Sequence, residues 1–476
     1  MKQSPFPIRG VVEGFYGTFY TFPERNDLIR FLGACGYNFY LYGPKNDRHH
    51  RARWRQPYPP SLMAHFAESV AIARDAHVTF CYTISPVESI CFTSVEDFDC
   101  LTARLRGFYD CGVRAFALFL DDIIPAFCCE ADRQRYASDG GADIIAHAAA
   151  HADLCNRLCA WLQRLDPACS LYLCPTEYYG TAPFSPYLHE LGRQLHPAID
   201  VFYTGPEVCS GRISTADVAA FAQAVRRSPI IWDNYPVNDL GMRAEMHIGP
   251  LQGRAADLYH AARGLVANVM LQPEASKIPL LTIADYLVDP HNYQPQESWQ
   301  RALRRVAGAE SYEALRLFAE NTLFSVLGVP EAEKLEALAG AALVALRRGE
   351  PAAESAAVRE LDGYLSTLDE ACYHLRYYMT NLQLRHDLLP WLELLDLWQD
   401  MARHGLAVLR AHECGQPYGR SLRIMTEWMA AAQRHHKRIA GNVLLPLAEY
   451  VLERLAQEQA VPVVAIGSEL DCKANC

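Results

Sequence analysis

Short apolar runs rich in β-branched and aromatic residues recur along the first part of the chain. They are 8–14 (IRGVVEG), 36–43 (GYNFYLYG), 77–85 (HVTFCYTIS), 114–120 (RAFALFL), 170–174 (SLYLC), 199–205 (IDVFYTG), 229–232 (PIIW) and 264–271 (GLVANVML). Each is too short for a helix of its own, and unbroken apolar character suits strands buried on both faces of a parallel sheet. The stretches between them carry apolar residues three and four apart, the spacing of one helix face. Leu28, Phe31 and Leu32 mark a helix over 24–34; Leu62, Phe66, Val70 and Ala73 one over 60–76. Phe98, Leu101, Leu105 and Phe108 mark 96–111, and Ile145, Leu154, Leu158 and Leu162 mark 142–165. Ser214-Thr215-Ala216-Asp217 reads as an N-terminal cap for the helix after the sixth strand. Strand and helix alternating eight times predicts an α/β fold, a (β/α)8 TIM barrel over residues 1–294. An open doubly wound sheet is the alternative, but no G-x-G-x-x-G or Walker pattern accompanies the strands.

From residue 295 the rhythm changes. Strand-like runs vanish, and Leu361, Leu365, Leu368, Cys372, Leu375, Met379 and Leu382 keep one helical stripe. Further long helices are expected through 388–413 and 420–457, with a turn at Gly415, Pro417 and Gly419. Residues 295–462 are therefore read as an all-α helical bundle domain. The polar, patternless end, 463–476, is read as a disordered tail.

Composition narrows the function classes. The formal net charge is -11, a poor match to nucleic acid or anionic lipid. No apolar run approaches the ~20 residues of a membrane span. No secretory signal is visible at the N-terminus, so a cytoplasmic location is expected. The 16 cysteines include no zinc-type C-x2-C pair and are expected to be reduced, buried thiols.

Chemistry concentrates where the strands end, the face on which barrel enzymes build their sites. Those ends read Glu13-Gly14-Phe15-Tyr16, Lys45-Asn46-Asp47, Asp121-Asp122, Pro175-Thr176-Glu177-Tyr178, Thr204-Gly205-Pro206 and Trp232-Asp233-Asn234, with Asn238, Asp239 and Asn268 beyond. Asp121-Asp122, directly after AFALFL, stands out. The competing reading is a helix cap or a solvated turn, which seven other polar strand ends disfavour. Desolvation and mutual repulsion should raise at least one of the two pKa values, leaving a general acid near neutrality. Neighbouring carboxylates do not easily face each other across a glycosidic bond, which points to substrate-assisted hydrolysis, where the sugar's acetamide is the nucleophile. Tyr16, Tyr178 and Trp232 offer flat faces for a sugar; each alone would equally suit core packing.

EGFYG (13–17), YGPKNDRHHRARWR (42–55), FALFLDD (116–122), CPTEYYG (174–180), TGP (204–206) and WDNYPVND (232–239) resemble the motifs of the family 84 glycoside hydrolases, which include O-GlcNAcases and β-N-acetylglucosaminidases. The resemblance covers residues 8–290. It implies a retaining exo-β-N-acetylglucosaminidase working through an oxazoline, with no cofactor and no metal. Asp121 would polarise the acetamido nitrogen, and Asp122 would be general acid and then base. Tyr178 and Asn234 would hold the acetamido oxygen. Cys174, Thr204 and Trp232 would surround the methyl group. Lys45 and the main chain of Gly14 would bind the 3-hydroxyl, and Asp239 and Asn268 the 4- and 6-hydroxyls. Asn46 and Tyr203 depart from the family pattern. The implied partner is a GlcNAc-bearing protein or glycoconjugate, with a homodimer through the helical domain left open. A sugar-binding pseudoenzyme and a hyaluronidase-like endo-hydrolase are the alternatives; the retained acids speak against the first and Asp239 against the second.

Overall fold

The computed structural model describes residues 4–86, 88–123, 126–136 and 143–459. All eight apolar runs form strands: β1 (Ile8–Glu13), β2 (Phe39–Tyr42), β3 (Thr79–Ile84), β4 (Ala115–Phe119), β5 (Ser170–Cys174), β6 (Ile199–Tyr203), β7 (Ile230–Asp233) and β8 (Gly264–Asn268). They close in sequence order into one parallel barrel, β8 pairing with β1 through Gly10 opposite Val266. The TIM barrel expected from the strand rhythm is thus the fold.

Crossover helices follow most strands: α1 (Phe22–Ala34), α2 (Pro60–Asp75), α3 (Val95–Asp110), α4 (Glu130–Tyr136), α5 (Asp143–Leu165), α6 (Pro186–Gln194), α7 (Thr215–Val225) and α8 (Lys277–Val288). Ser214 and Asp217 cap α7 reciprocally, as the spacing predicts, and Thr21 and Glu24 do the same for α1. The alternation fails once. Between β7 and β8 there is no α-helix, only two single 3-10 turns, Leu240–Met242 and Leu258–His260. That crossover is spent on the loop that carries Asn238 and Asp239.

The barrel interior is filled by every second residue: Val12, Phe39 and Leu41, Cys81, Ala115, Ala117 and Phe119, Tyr172, Phe202, Ile230 and Trp232, and Val266. This is the period-two alternation of a strand, read on its inward face.

By internal contacts the chain forms two compact units, Met1–Glu331 with Tyr373–Pro390, and Ala332–Cys372 with the residues from Trp391 on. The first unit takes in α9 (Pro295–Ala307) and α10 (Tyr312–Ala319). Trp299 of α9 is buried and donates its indole N–H to the Ile248 carbonyl at 2.7 Å. The switch from strands to helices at 295 and the contact boundary after Glu331 are therefore different divisions.

The second unit is all-helical: α11 (Glu333–Arg347), most of α12 (Ala356–Tyr377) and α13 (Leu382–Glu413), then α14 (Gly419–Arg434) and α15 (Leu445–Gln459). Leu361, Leu365, Leu368, Cys372 and Leu375 are buried along α12 and Met379 just beyond its end at Tyr377, but Leu382 is exposed, so the expected stripe loses only its last member. The single helix expected over 420–457 is two, separated around 435–444. The tail at 463–476 lies outside the described residues. Among the described residues no helix is long and apolar enough to cross a membrane.

The expectation of reduced, buried thiols holds only in part: Cys128 and Cys414 are exposed, and Cys35, Cys100, Cys111 and Cys209 are half-buried. Cys81, Cys155, Cys159, Cys169, Cys174 and Cys372 are buried thiols outside any disulfide, but Cys91 and Cys129 form a disulfide. It ties the loop after β4 to the loop after β3. Asp132 beside it is fully buried and accepts from the Phe92 and Thr93 amides at 2.8 Å each.

Candidate active site

The inward alternation that packs the barrel also builds the site. Two residues beyond Val12, Phe119, Phe202, Trp232 and Val266 come Gly14, Asp121, Thr204, Asn234 and Asn268. All five line one cavity of about 160 Å³ at the C-terminal mouth, together with Tyr16, Lys45, Asp122, Cys174, Tyr178, Trp232 and Asp239. Every residue given a catalytic or sugar-binding role from the sequence therefore borders a single space.

The floor is Trp232, packed against Phe119 and Phe202 at ring distances of 5.0 and 5.7 Å. Its indole N–H donates to Asn234 Oδ1 at 2.9 Å, and Asn268 Nδ2 donates to the same oxygen at 2.9 Å. Asn234 Nδ2 donates in turn to the Val208 carbonyl at 2.7 Å. With Oδ1 taken twice, the amide orientation is fixed, and one Nδ2–H remains for another acceptor. Asn268 Oδ1 accepts from Gly14 N at 3.2 Å, so the carbonyl of Gly14 is the part of its main chain left to meet a ligand.

Asp121 is 5 % exposed. Its Oδ2 is ion-paired to Lys45, while Oδ1 is buried with no partner. A buried acceptor without a donor costs about 1–3 kcal/mol, which a ligand N–H would recover. Asp122 stands beside it in the left-handed region, φ +56°. Its Oδ1 accepts from the Tyr178 hydroxyl at 2.8 Å and its Oδ2 from the Tyr16 hydroxyl at 2.9 Å. Lys45 Nζ lies 3.6 Å from the same Oδ2.

For Asp122 these partners reverse the expected direction. Burial does push the Asp122 carboxyl up, but Lys45, the hydroxyls of Tyr178 and Tyr16, and Arg51 together outweigh it. The ligand-free Asp122 is held below the usual carboxylate range. Burial alone would also lower Lys45; Asp121 and Asp122 hold it above its ordinary value. Burial raises Tyr178, with Asp122 adding to the effect. Asp239 is raised by burial although it accepts from the Tyr16 amide at 2.6 Å.

Several polar strand-end residues belong to the scaffold. Glu13 is fully buried and receives Arg25 Nε and Nη2 at 2.8 and 3.0 Å, the Tyr20 amide and the Tyr40 hydroxyl. Asp233 receives Arg254 Nε and Nη2 at 2.7 and 2.6 Å. Asp47 accepts from the hydroxyls of Tyr42 and Tyr58, and Glu177 from Ser185. The two departures from the family pattern are also structural. Asn46 Oδ1 accepts from Gly17 N at 2.9 Å, and Tyr203 stacks on Phe221 while donating to the Gly180 carbonyl.

Sequence reasoning missed the cavity's outer lining: Val208, Cys209, Val237, Leu240, Gly241 and Met242. They lie on loops after β6 and β7, where no periodicity places a side chain. Leu240 is 59 % exposed beside Asp239, an apolar group at the mouth. Burial raises the Cys209 thiol to about 11.

The chain is similar to known proteins along most of its length. A family model described as beta-N-acetylglucosaminidase matches residues 9–320. Two curated relatives, the proteins named Protein O-GlcNAcase of Rattus norvegicus and Mus musculus, are each 34% identical over 282 residues. That stretch covers 58% of this chain but only 29% of each relative. Among solved structures, a Thermobaculum terrenum O-GlcNAc hydrolase mutant is 30% identical with a TM-score of 0.85, covering 96% of this chain and 97% of that one.

Proposed function

The chain belongs to the beta-N-acetylglucosaminidase family, the family 84 glycoside hydrolases, and from that premise we propose that it removes terminal β-linked N-acetylglucosamine with retention of configuration, the substrate's own acetamide acting as nucleophile. The observation that carries this reading is the unequal treatment of two adjacent acids. Asp121 keeps a buried, unpartnered oxygen at the cavity wall, while both oxygens of Asp122 are held by tyrosine hydroxyls. One acid is placed to accept an N–H and the other to exchange a proton.

In the first step the acetamido oxygen attacks C1, and Asp121 accepts the acetamido N–H as positive charge develops there. The Tyr178 hydroxyl, turned from Asp122 to the ligand, and the second N–H of Asn234 orient that oxygen. Asp122 gives its proton to the leaving oxygen, and the C1–O bond breaks to leave an oxazolinium ion, the protonated oxazoline, whose N–H stays on the Asp121 carboxylate. In the second step Asp122, now ionised, takes a proton from water as the water attacks C1 and reopens the ring. Cys174, Thr204 and Trp232 surround the methyl group. Lys45 and the Gly14 carbonyl take the 3-hydroxyl, and Asp239 with Asn268 the hydroxyls at the far end, which makes the action exo.

Asp122 must be protonated for the first step, yet it is held ionised in the free site. A sugar hydroxyl that draws Lys45 off the carboxylates, together with loss of water from the cavity, raises its pKa when the substrate arrives. O-GlcNAc on protein is the substrate class we favour, since the related proteins carry that name; the aglycone faces the loop residues Val208 and Leu240.

The test is release of a chromophore from aryl N-acetyl-β-glucosaminides of graded leaving-group acidity. Asp122→Asn should lose ~10³-fold or more with poor leaving groups and little with activated ones, because only the former need an acid. Asp121→Asn should slow every substrate alike. Equal, small losses in both variants would reject the assignment.

A further inference from the structure

Tyr16 touches the cavity with its hydroxyl, and something holds that hydroxyl from behind. Arg51 Nη1 donates to Tyr16 Oη at 3.1 Å, and Tyr16 Oη donates to Asp122 Oδ2 at 2.9 Å. Arg51 does not line the cavity itself. Its side chain is 11 % exposed, and Nη2 is ion-paired with Glu88 Oε1 at 2.9 Å. Its own main chain is tied at both ends: the amide donates to the Asp47 carbonyl and the carbonyl accepts from the Trp54 amide. Its Nε is buried with no partner among the described residues, so of the guanidinium's bonded donors Nη2 faces Glu88 and Nη1 is the one that leads to the cavity, through Tyr16.

We propose that Arg51 is a positioning residue for the hydrolysis: through the Tyr16 hydroxyl it fixes the Asp122 carboxyl in place and backs it with the positive charge that returns it to the carboxylate needed for the second step. The proposal rests on the reading above that Asp122 donates and then accepts the proton. When substrate draws Lys45 away, Arg51 becomes the cation still aimed at Asp122. The other groups facing Asp122 are Tyr178, which donates to it, Asp121 and Asp239, whose charges oppose it, and Cys174, which burial keeps as a neutral thiol. Arg51 in turn faces Glu88, Tyr16, Asp121 and His50. Among these described groups, Arg51 and Tyr16 form a hydrogen-bonded line from a permanent cation to the acid that leaves Lys45 to the sugar.

The sign follows from charge. Removing a cation stabilises the protonated form of Asp122, so its pKa in the complex rises. The alkaline limb of kcat with a poor leaving group reads that group. Arg51→Gln should move this limb upward by ~0.5 unit or more. It should also cost ~10-fold or more in kcat with poor leaving groups, because a weaker acid protonates them more slowly. Tyr16→Phe should move the limb in the same direction, and adding it to Arg51→Gln should move it no further. Arg51→Lys, which keeps the charge, should bring the limb most of the way back. Melting curves first establish that each variant is folded. A folded Arg51→Gln whose limb coincides with wild type, or an Arg51→Lys that recovers nothing, would overturn the proposal. A wild-type protein that releases no chromophore sinks both this inference and the hydrolase reading. A wild-type enzyme that turns over normally beside an unmoved Arg51→Gln limb sinks only this one.

Discussion

Asp121 and Asp122 are consecutive, and a regular strand would send their side chains to opposite faces. Asp122 instead adopts φ +56°, and both carboxyls reach the same cavity. Asp is among the few residues that enter this backbone region at modest cost. Gly14 shows a second residue-level constraint. A Cβ added there would sit 2.6 Å from Trp232 Cζ2, inside the floor of the site. Gly14→Ala should therefore displace the indole, and with it Asn234 and Asn268. A shift of that size on reacting groups costs on the order of 10²-fold. Steady-state kinetics on an aryl glucosaminide should show that loss in kcat/KM with the protein still folded; unchanged kcat/KM would remove Trp232 and its asparagine partners from the site. The sequence named Gly14 only through its motif, because a steric reason for glycine needs the neighbouring strand in view.

At the scale of the elements, polar residues gather at the strand ends for two purposes, and alternation separates them. Gly14, Asp121 and Asn234 share the inward phase of the barrel core, while Glu13 and Asp233 fall one residue out of phase and point toward the surrounding layer. There Arg25 and Arg254 satisfy them in buried bidentate pairs. Both roles were therefore present in the sequence, but only phase, not composition, tells them apart. Arg25→Met should strand the Glu13 charge and lower unfolding stability by about 3–5 kcal/mol. Adding Glu13→Gln should recover part of that loss. Urea denaturation measures both, and an Arg25→Met protein as stable as wild type would show that the pair does not hold the β1 loop. The β7–β8 crossover was not legible, since a loop with two short 3-10 turns carries no period to read. The mouth residues Val208 and Leu240 were missed for the same reason.

For the molecule as a whole, the barrel was legible because each strand announces itself locally: a short apolar run ended by polar residues, eight times. The helical region was legible as helical but not in its breaks, since the turn near 435–444 contains no proline or glycine at its start. Compact units depend on contacts between distant segments, as with Trp299 and Ile248, which no window along the chain contains. Closure of the barrel is what brings Lys45, Asp121, Asp122, Tyr178 and Asn234, spread over 190 positions of sequence, to one cavity. The central claim is that this assembly lets the bound sugar's acetamide attack its own anomeric carbon. The direct measurement is kcat/KM for a series of aryl glucosaminides whose N-acyl group carries an increasing number of fluorine atoms. Each fluorine withdraws electrons from the carbonyl oxygen, so a participating amide predicts a steep stepwise fall, with the released sugar emerging first as the β-anomer. Rates indifferent to fluorination, or a product first seen as the α-anomer, would contradict the account.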